Sequence, residues 1–159
     1  MRPIPALLAL TALLAILDPL RWSDRAVPDC ARVRVEIGDR VRTLVVEIAD
    51  NPFERTRGLR GRHEIPLDGM LFVYRVPRAV TFTVRGMLVP IDIAFMNDRG
   101  TVLSVRHAVE PIGSTTLPSL GPIASVLELP SGSARAFGIV PGAVIRNLWP
   151  VPCSRRTIR

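Results

Sequence analysis

Lysine is absent from this chain. All 21 basic residues are arginine, set against 14 acids, for a formal charge of +7. A chain without lysine cannot supply the lysine of a phosphate-binding loop, and neither Gly38-Asp39-Arg40 nor Gly58-Leu59-Arg60-Gly61 leads into such a helix. The uniform use of arginine points to genome composition rather than to selection for an acidic partner. Aromatics make up only 5% of the residues, and the acids are interleaved with the arginines. No stacking platform accompanies the charge, which argues against nucleic acid as a partner. Histidine occurs only at His63 and His107, near Glu64 and Glu110. That spacing fits no standard ligand motif, so neither a metal nor another cofactor is expected. Ser104, Ser114 and Ser119 have no elbow motif around them, so nothing supports a hydrolase triad.

Cysteine is scarce too. Cys30 and Cys153 stand at opposite ends of the chain's central region, outside any CxxC and away from histidine, which makes zinc a poor reading. In an exported domain such a pair points to a disulfide joining the termini; two unrelated thiols are the alternative. No clean run of the roughly 20 apolar residues that a membrane helix needs is present. The run IPALLALTALLAIL, residues 4 to 17, follows Arg2 and ends at Asp18-Pro19. It fits the apolar region of a secretory signal. No small-x-small triplet follows it, which leaves open an uncleaved membrane anchor or a buried N-terminal helix. The expected organisation is a signal peptide or anchor over residues 1–29, one globular domain over 30–153, and a basic tail over 154–159. The expected location is the periplasm, free or anchored to the inner membrane and facing the periplasm. The tail arginines Arg155, Arg156 and Arg159 read as solvated, with anionic lipid as the alternative.

Fifteen prolines and eleven glycines spread along the chain predict many short elements. RVRVEIGDRVRTLVVEIA, residues 32 to 49, alternates as a hairpin. A three-residue loop, Gly38 to Arg40, would set Ile37 against Val41 and Val35 against Thr43. DNPFERTRG predicts a helix of about two turns, capped by Asp50 or Asn51, with Pro52 in its first turn. GMLFVY, residues 69 to 74, reads as a central strand and AVTFTV, residues 79 to 84, as another. IDIAFM and TVLSVR flank the turn Asn97 to Gly100 as a second hairpin. From His107 to Pro122 the chain is loop-like. SVLELP is a strand, SGSARAFG a short helix capped by Ser131 or Ser133, and AVIRNLW the last strand. No internal repeat is visible.

The order of these pieces resembles domain of unknown function family 192. VEIADNPFERTRGLRGRHEIPLDGMLFVY is similar to the family's ELA…eRxxGL segment followed by GMLFxF. FTVRGMLVPIDIAFMNDRGTV is similar to its central FWMKNTxxPLDIxFxxxxGxV. VLELPSGSARAFGIVPG is similar to its VLELPAGxxxxxGIxxGD end. The likeness covers roughly residues 33 to 148. Thr83, Val84, Arg85 and Gly86 stand where the pattern has Trp-Met-Lys-Asn. Met87 replaces its threonine, Arg60 its methionine after GL, and Ala143 its closing aspartate. Arg85, Pro90 and Asp92 keep the pattern's character. The resemblance implies a compact, mainly β fold with small helices and no established activity. Together, pattern and resemblance predict a mainly β (α+β) domain, either a compact, partly open β-barrel or curved antiparallel sheets, with two short helices.

Within LVPIDIAFM, alternation sets Ile91, Ile93 and Phe95 on one face and Asp92 with Pro90, Ala94 and Met96 on the other. A carboxylate among apolar neighbours needs a partner. Arg85 and the amides of the bend at residues 86 to 90 are the expected donors, which would make Asp92 a structural clip. Ligand binding and acid/base catalysis are the alternatives. The leading reading is a non-catalytic envelope module that binds an unidentified small molecule or partner protein, with Asp92, Arg85 and Glu110 as candidate ligand-binding residues. The other reading is an envelope hydrolase or transferase whose cleft gathers those three.

Overall fold

The computed structural model describes residues 30–112, 115–151 and 153. The expected signal or anchor and the basic tail lie outside the described residues. Alternation over residues 32 to 49 folds as the expected hairpin, β1 (Cys30–Ile37) against β2 (Arg40–Ala49). Its turn is one residue shorter than the polar pattern suggests. Ile37 pairs with Arg40, Val35 with Arg42 and Val33 with Leu44. Gly38 has φ 54° while Asp39 keeps a negative φ, as a two-residue type II′ turn requires, and such turns match the twist of the strands. Turn geometry thus overrides pattern: Val41 is left 49% exposed beyond the part of the ribbon that the core covers.

Helix α1 (Pro52–Arg57) follows as expected. The Asn51 side chain accepts from the Glu54 amide at 3.0 Å, and Gly58 ends the helix. The chain then returns as β3 (Met70–Arg78), parallel to β2 rather than antiparallel. The remaining elements are β4 (Thr81–Thr83), β5 (Ile91–Met96), β6 (Val102–Val109), β7 (Thr116–Pro118), β8 (Ile123–Pro130), α2 (Ser133–Phe137) and β9 (Val144–Val151). Seven strands form one sheet in the order β6-β5-β8-β3-β2-β1-β9, which places β3 in the middle. The segment expected to be loop-like from His107 is more ordered than its composition suggests. β6 runs on to Val109, and β7 pairs with β4 as a separate two-stranded sheet.

The large sheet does not close into a barrel, but its edges meet. Thr101 bridges Val144, the Val102 amide donates to Ala143 O at 2.8 Å, and the Ile145 amide donates to Gly100 O at 2.8 Å. At Gly100 an added Cβ would lie 2.1 Å from the Ile145 carbonyl oxygen, and φ is 76°. Gly100→Ala must therefore open this seam as well as strain the backbone. It should lower stability by more than about 1 kcal/mol, read as a fall in the urea midpoint. An unchanged midpoint would mean that the seam contributes nothing.

Both faces of the sheet are covered. One core includes Val33, Val35, Leu44, Val46, Ala94, Met96, Leu127, Leu129 and Ala134. The other includes Leu59, Phe72, Val84, Met87, Ile91, Ile93, Phe95 and Val126. This explains why β5 reads as apolar on both sides: all six of its residues are buried. On the second face, Phe82 of β4 packs edge-on against Phe72 and Phe95, with centroids 5.0 and 6.0 Å away. These contacts fasten the small β4–β7 sheet over the large one.

Candidate functional site

Asp92 is completely buried. Its two oxygens accept from two main-chain amides: Oδ1 from Ala108 and Oδ2 from Ala134, both at 2.9 Å. Ala134 lies in the first turn of α2. The residue at that helix's N-cap is Gly132, not Ser131 or Ser133, and no side chain of the loop caps it. Asp92 serves the orphan amide instead, reaching across from β5. Ala108 lies where β6 kinks with φ 48°, and there the ladder between β5 and β6 shifts register. One carboxylate thus ties a helix start and a strand irregularity to the central sheet. The donors lie 16 and 42 residues away in sequence, so local spacing could not reveal them.

Arg85 does not take part. Its side chain is exposed, and among the described residues no hydrogen bond or ion pair joins it to Asp92. The His107 ring lies beside Asp92, with Nδ1 3.8 Å from Oδ1. Glu110 is exposed just beyond β6. Among the described residues no hydrogen bond or ion pair joins Asp92 to Arg85 or to Glu110. Asp92→Asn must turn an NH₂ toward one of the two amides, replacing an acceptor with a second donor. It should cost about 1.5–3 kcal/mol, measured as a shift in the denaturation midpoint. An unchanged midpoint would leave the two amide bonds without energetic weight. Cys30 and Cys153 do join, with Cα atoms 5.2 Å apart.

A different acid stands in a pocket. Glu128 is at the centre of β8, opposite Ile93 of β5 and Met70 of β3. Alternation sets it on the face of Val126, among the second core. It is 4% exposed, and its Oε2 has no hydrogen-bond partner among the described residues. Glu47, the other buried glutamate, differs: Arg62 donates to its Oε1 at 3.0 Å and sets a guanidinium charge 2.8 Å from its Oε2, which otherwise lacks a hydrogen-bond partner as Glu128 Oε2 does. Burial without a partner pushes the Glu128 carboxyl up to about 8. The pocket has a volume of about 230 Å³. Phe72, Phe82, Leu59 and Met87 give it apolar walls, Thr81 and Thr83 add hydroxyls, and Arg57 and Arg60 stand at its rim. Arg55 lies over the Tyr74 ring, 5.1 Å from its centroid, and donates to the Val73 and Asp50 carbonyls. Burial raises the Tyr74 phenol above its ordinary value against the opposing pull of Arg55 and Arg78.

The overall fold is similar to that of solved structures. A candidate transcription regulator from Sinorhizobium meliloti 1021 is 30% identical, with a TM-score of 0.72 over 76% of this chain and 95% of that one. A protein of unknown function from Novosphingobium aromaticivorans DSM 12444 is 31% identical, with a TM-score of 0.68 over 74% of this chain and 84% of that one. No curated protein matches. The family model for DUF192, described as an uncharacterized ACR, matches residues 33–147. The chain belongs to the DUF192 family.

Membership gives the departures from the DUF192 pattern a location. Arg60, Thr83 and Met87, which replace methionine, tryptophan and threonine of that pattern, all line the Glu128 pocket. Glu128 itself keeps the pattern, as the glutamate of VLELP. The signal for it was available in the sequence: the argument that singles out Asp92, an acid amid apolar alternation, applies equally to Val126-Leu127-Glu128-Leu129.

Proposed function

We propose that this DUF192 member is an exported, non-catalytic module of the cell envelope that binds a small molecule in the Glu128 pocket. The observation that carries the reading is the Glu128 carboxyl, buried at the pocket with one oxygen unpartnered. An unsatisfied buried acceptor is costly, and a ligand that donates to it offsets that cost. The Cys30–Cys153 bridge is compatible with an oxidising compartment. No helix among the described residues is long and apolar enough to cross a membrane.

An acid raised to about 8 could also serve as a general acid, and that is the enzymatic reading. The residues lining this pocket include no second carboxylate, histidine, serine or cysteine; its remaining hydroxyls, Tyr74, Thr81 and Thr83, have no general base among the lining residues other than Glu128 itself. Binding without turnover is therefore the better account. A regulator's nucleic-acid partner, suggested by the description of the Sinorhizobium protein, is not favoured either. Arg34 and Arg146, two exposed arginines of the β1–β9 edge, already pair with Glu36 at 3.2 and 3.3 Å.

A thermal-shift screen of the oxidised protein against envelope metabolites tests the binding claim. A compound that binds the folded state raises the melting temperature of the wild type, and the shift should shrink in Glu128→Leu. A screen in which every stabilising compound acts equally on both proteins would sink it. Export is tested separately by fusing residues 1–28 to alkaline phosphatase. Activity of the fusion is expected, and an inactive cytosolic fusion would count against export.

A further inference from the structure

We infer that the Glu128 pocket takes a small zwitterion, its ammonium against the Glu128 carboxylate and its anionic group against Arg57 and Arg60. This rests on the pocket being a binding site and adds the chemical class of the ligand. Three features of the pocket select that class together, and none does so alone.

The first is the floor. Glu128 lines the pocket with a carboxyl that is only partly satisfied, since its Oε2 has no donor among the described residues, and an occupant that donates to this carboxyl offsets part of that cost. An ammonium brings several N–H groups and a charge that the aromatic walls tolerate. Phe72 and Phe82 line the pocket, and a cation near an aromatic face is attracted by it. The second is the rim. Arg57 and Arg60 are exposed, and neither forms an ion pair among the described residues. They repel a simple cation and attract an anion. Arg55 is already committed to main-chain carbonyls and to the Tyr74 ring, so it belongs to the wall rather than to the ligand. A simple anion would satisfy the rim and leave Glu128 unpartnered; a simple cation would do the reverse. The third is size. At about 230 Å³ the pocket is smaller than the ~300–1,000 Å³ typical of drug-sized ligands, which suits an amino acid or a short amino acid derivative.

Protonation adds a further signature. The titratable and charged groups facing the pocket are Glu128, Tyr74, Arg55, Arg57 and Arg60. Burial holds the Glu128 proton to about 8, and the carboxyl must lose it to receive an ammonium. Affinity for the zwitterion should therefore rise about tenfold per pH unit below about 8 and level off above it.

The test is a titration of the full-length oxidised protein with ω-amino acids from glycine to 6-aminohexanoate. Each is compared with the n-alkylamine and the n-alkanoate of the same length. One or more of the ω-amino acids should bind at least tenfold more tightly than both comparators. Glu128→Gln, which keeps the shape and loses the charge, should abolish that preference and its pH dependence. Arg57→Ala combined with Arg60→Ala should bring the ω-amino acid down to the affinity of the alkylamine. Equal binding of the alkanoate would make this a plain anion site, and equal binding of the alkylamine a plain cation site; either overturns the zwitterion. Silence from every probe overturns it as well. The binding reading itself then stands or falls with the separate screen, in which a compound of another class can still protect the wild type more than Glu128→Leu.

Discussion

Replacing Cys30 and Cys153 by serine should lower the stability of the domain by about 4 to 5 kcal/mol. The bridge spans 123 positions, and chain-entropy reasoning gives that magnitude for a loop of this length. The native geometry asks little of the backbone. Cys30 opens β1 in register with Val151 of β9, and Cys153 follows two residues later, so strand pairing already brings the cysteines together. Their Cα separation of 5.2 Å is within the range that disulfides adopt. At about 4 °C per kcal/mol, the melting temperature should fall by roughly 15–20 °C. Reductant should reproduce the effect in the wild type and do nothing further to the double variant. Equal melting of oxidised and reduced protein, with two free thiols confirmed by intact mass, would show that β1–β9 pairing alone holds the termini. If the expected loss is found, a reducing cytosol would leave this domain much weaker than an oxidising compartment does, which ties the bridge to the export proposal.

The elements that depend on local chemistry are legible in the sequence. Asn51 and Pro52 start α1, Gly58 ends it, and the Asn97 turn joins β5 to β6, because each signal lies within a few residues of its effect. The faces of β5 are legible as well, since strand alternation needs no knowledge of the partner strand. What fails is what depends on distant contacts. The parallel pairing of β2 with β3 is set by where the chain returns after α1, and no residue there announces it. β7 is hidden among prolines and threonines because it is a strap of three residues whose order comes from β4. The Gly38-Asp39 turn is misjudged because polar alternation favours a longer loop than turn geometry does. Asp92 is correctly singled out as a buried acid, but its donors, Ala108 and Ala134, carry no side-chain signal at all. Arg85 is the nearer and more obvious partner in sequence, yet it is exposed and no bond joins it to Asp92 among the described residues. Glu128 is missed because the text around it is ordinary strand text. Only the sheet order, with β8 between β5 and β3, shows that its carboxyl is enclosed.

Enclosure of that carboxyl should make the stability of the protein fall as pH rises between about 4.5 and about 8. An unfolded chain releases the Glu128 proton near the ordinary value of 4.5, whereas the folded protein holds it to about 8. Below that window both states are protonated and the side chain has no pH-dependent effect. Within it the folded state binds the extra proton, so each added pH unit favours unfolding by up to about 1.4 kcal/mol. Above it both states are ionised, and the loss levels off at on the order of 5 kcal/mol. Glu128→Gln removes the titration but still buries a polar group with an unmet bond, a cost of about 1–3 kcal/mol that does not vary with pH. The signature is therefore the slope rather than the level. The difference in unfolding free energy, variant minus wild type, should increase steadily from pH 5 to pH 8 and end in favour of the variant. Urea denaturation at half-unit pH steps measures it, and subtracting the variant cancels the other titrating groups to first order. A difference that stays flat across that range would mean that Glu128 is solvated or paired, and the pocket would lose the acid on which both its proposed role and its proposed ligand depend.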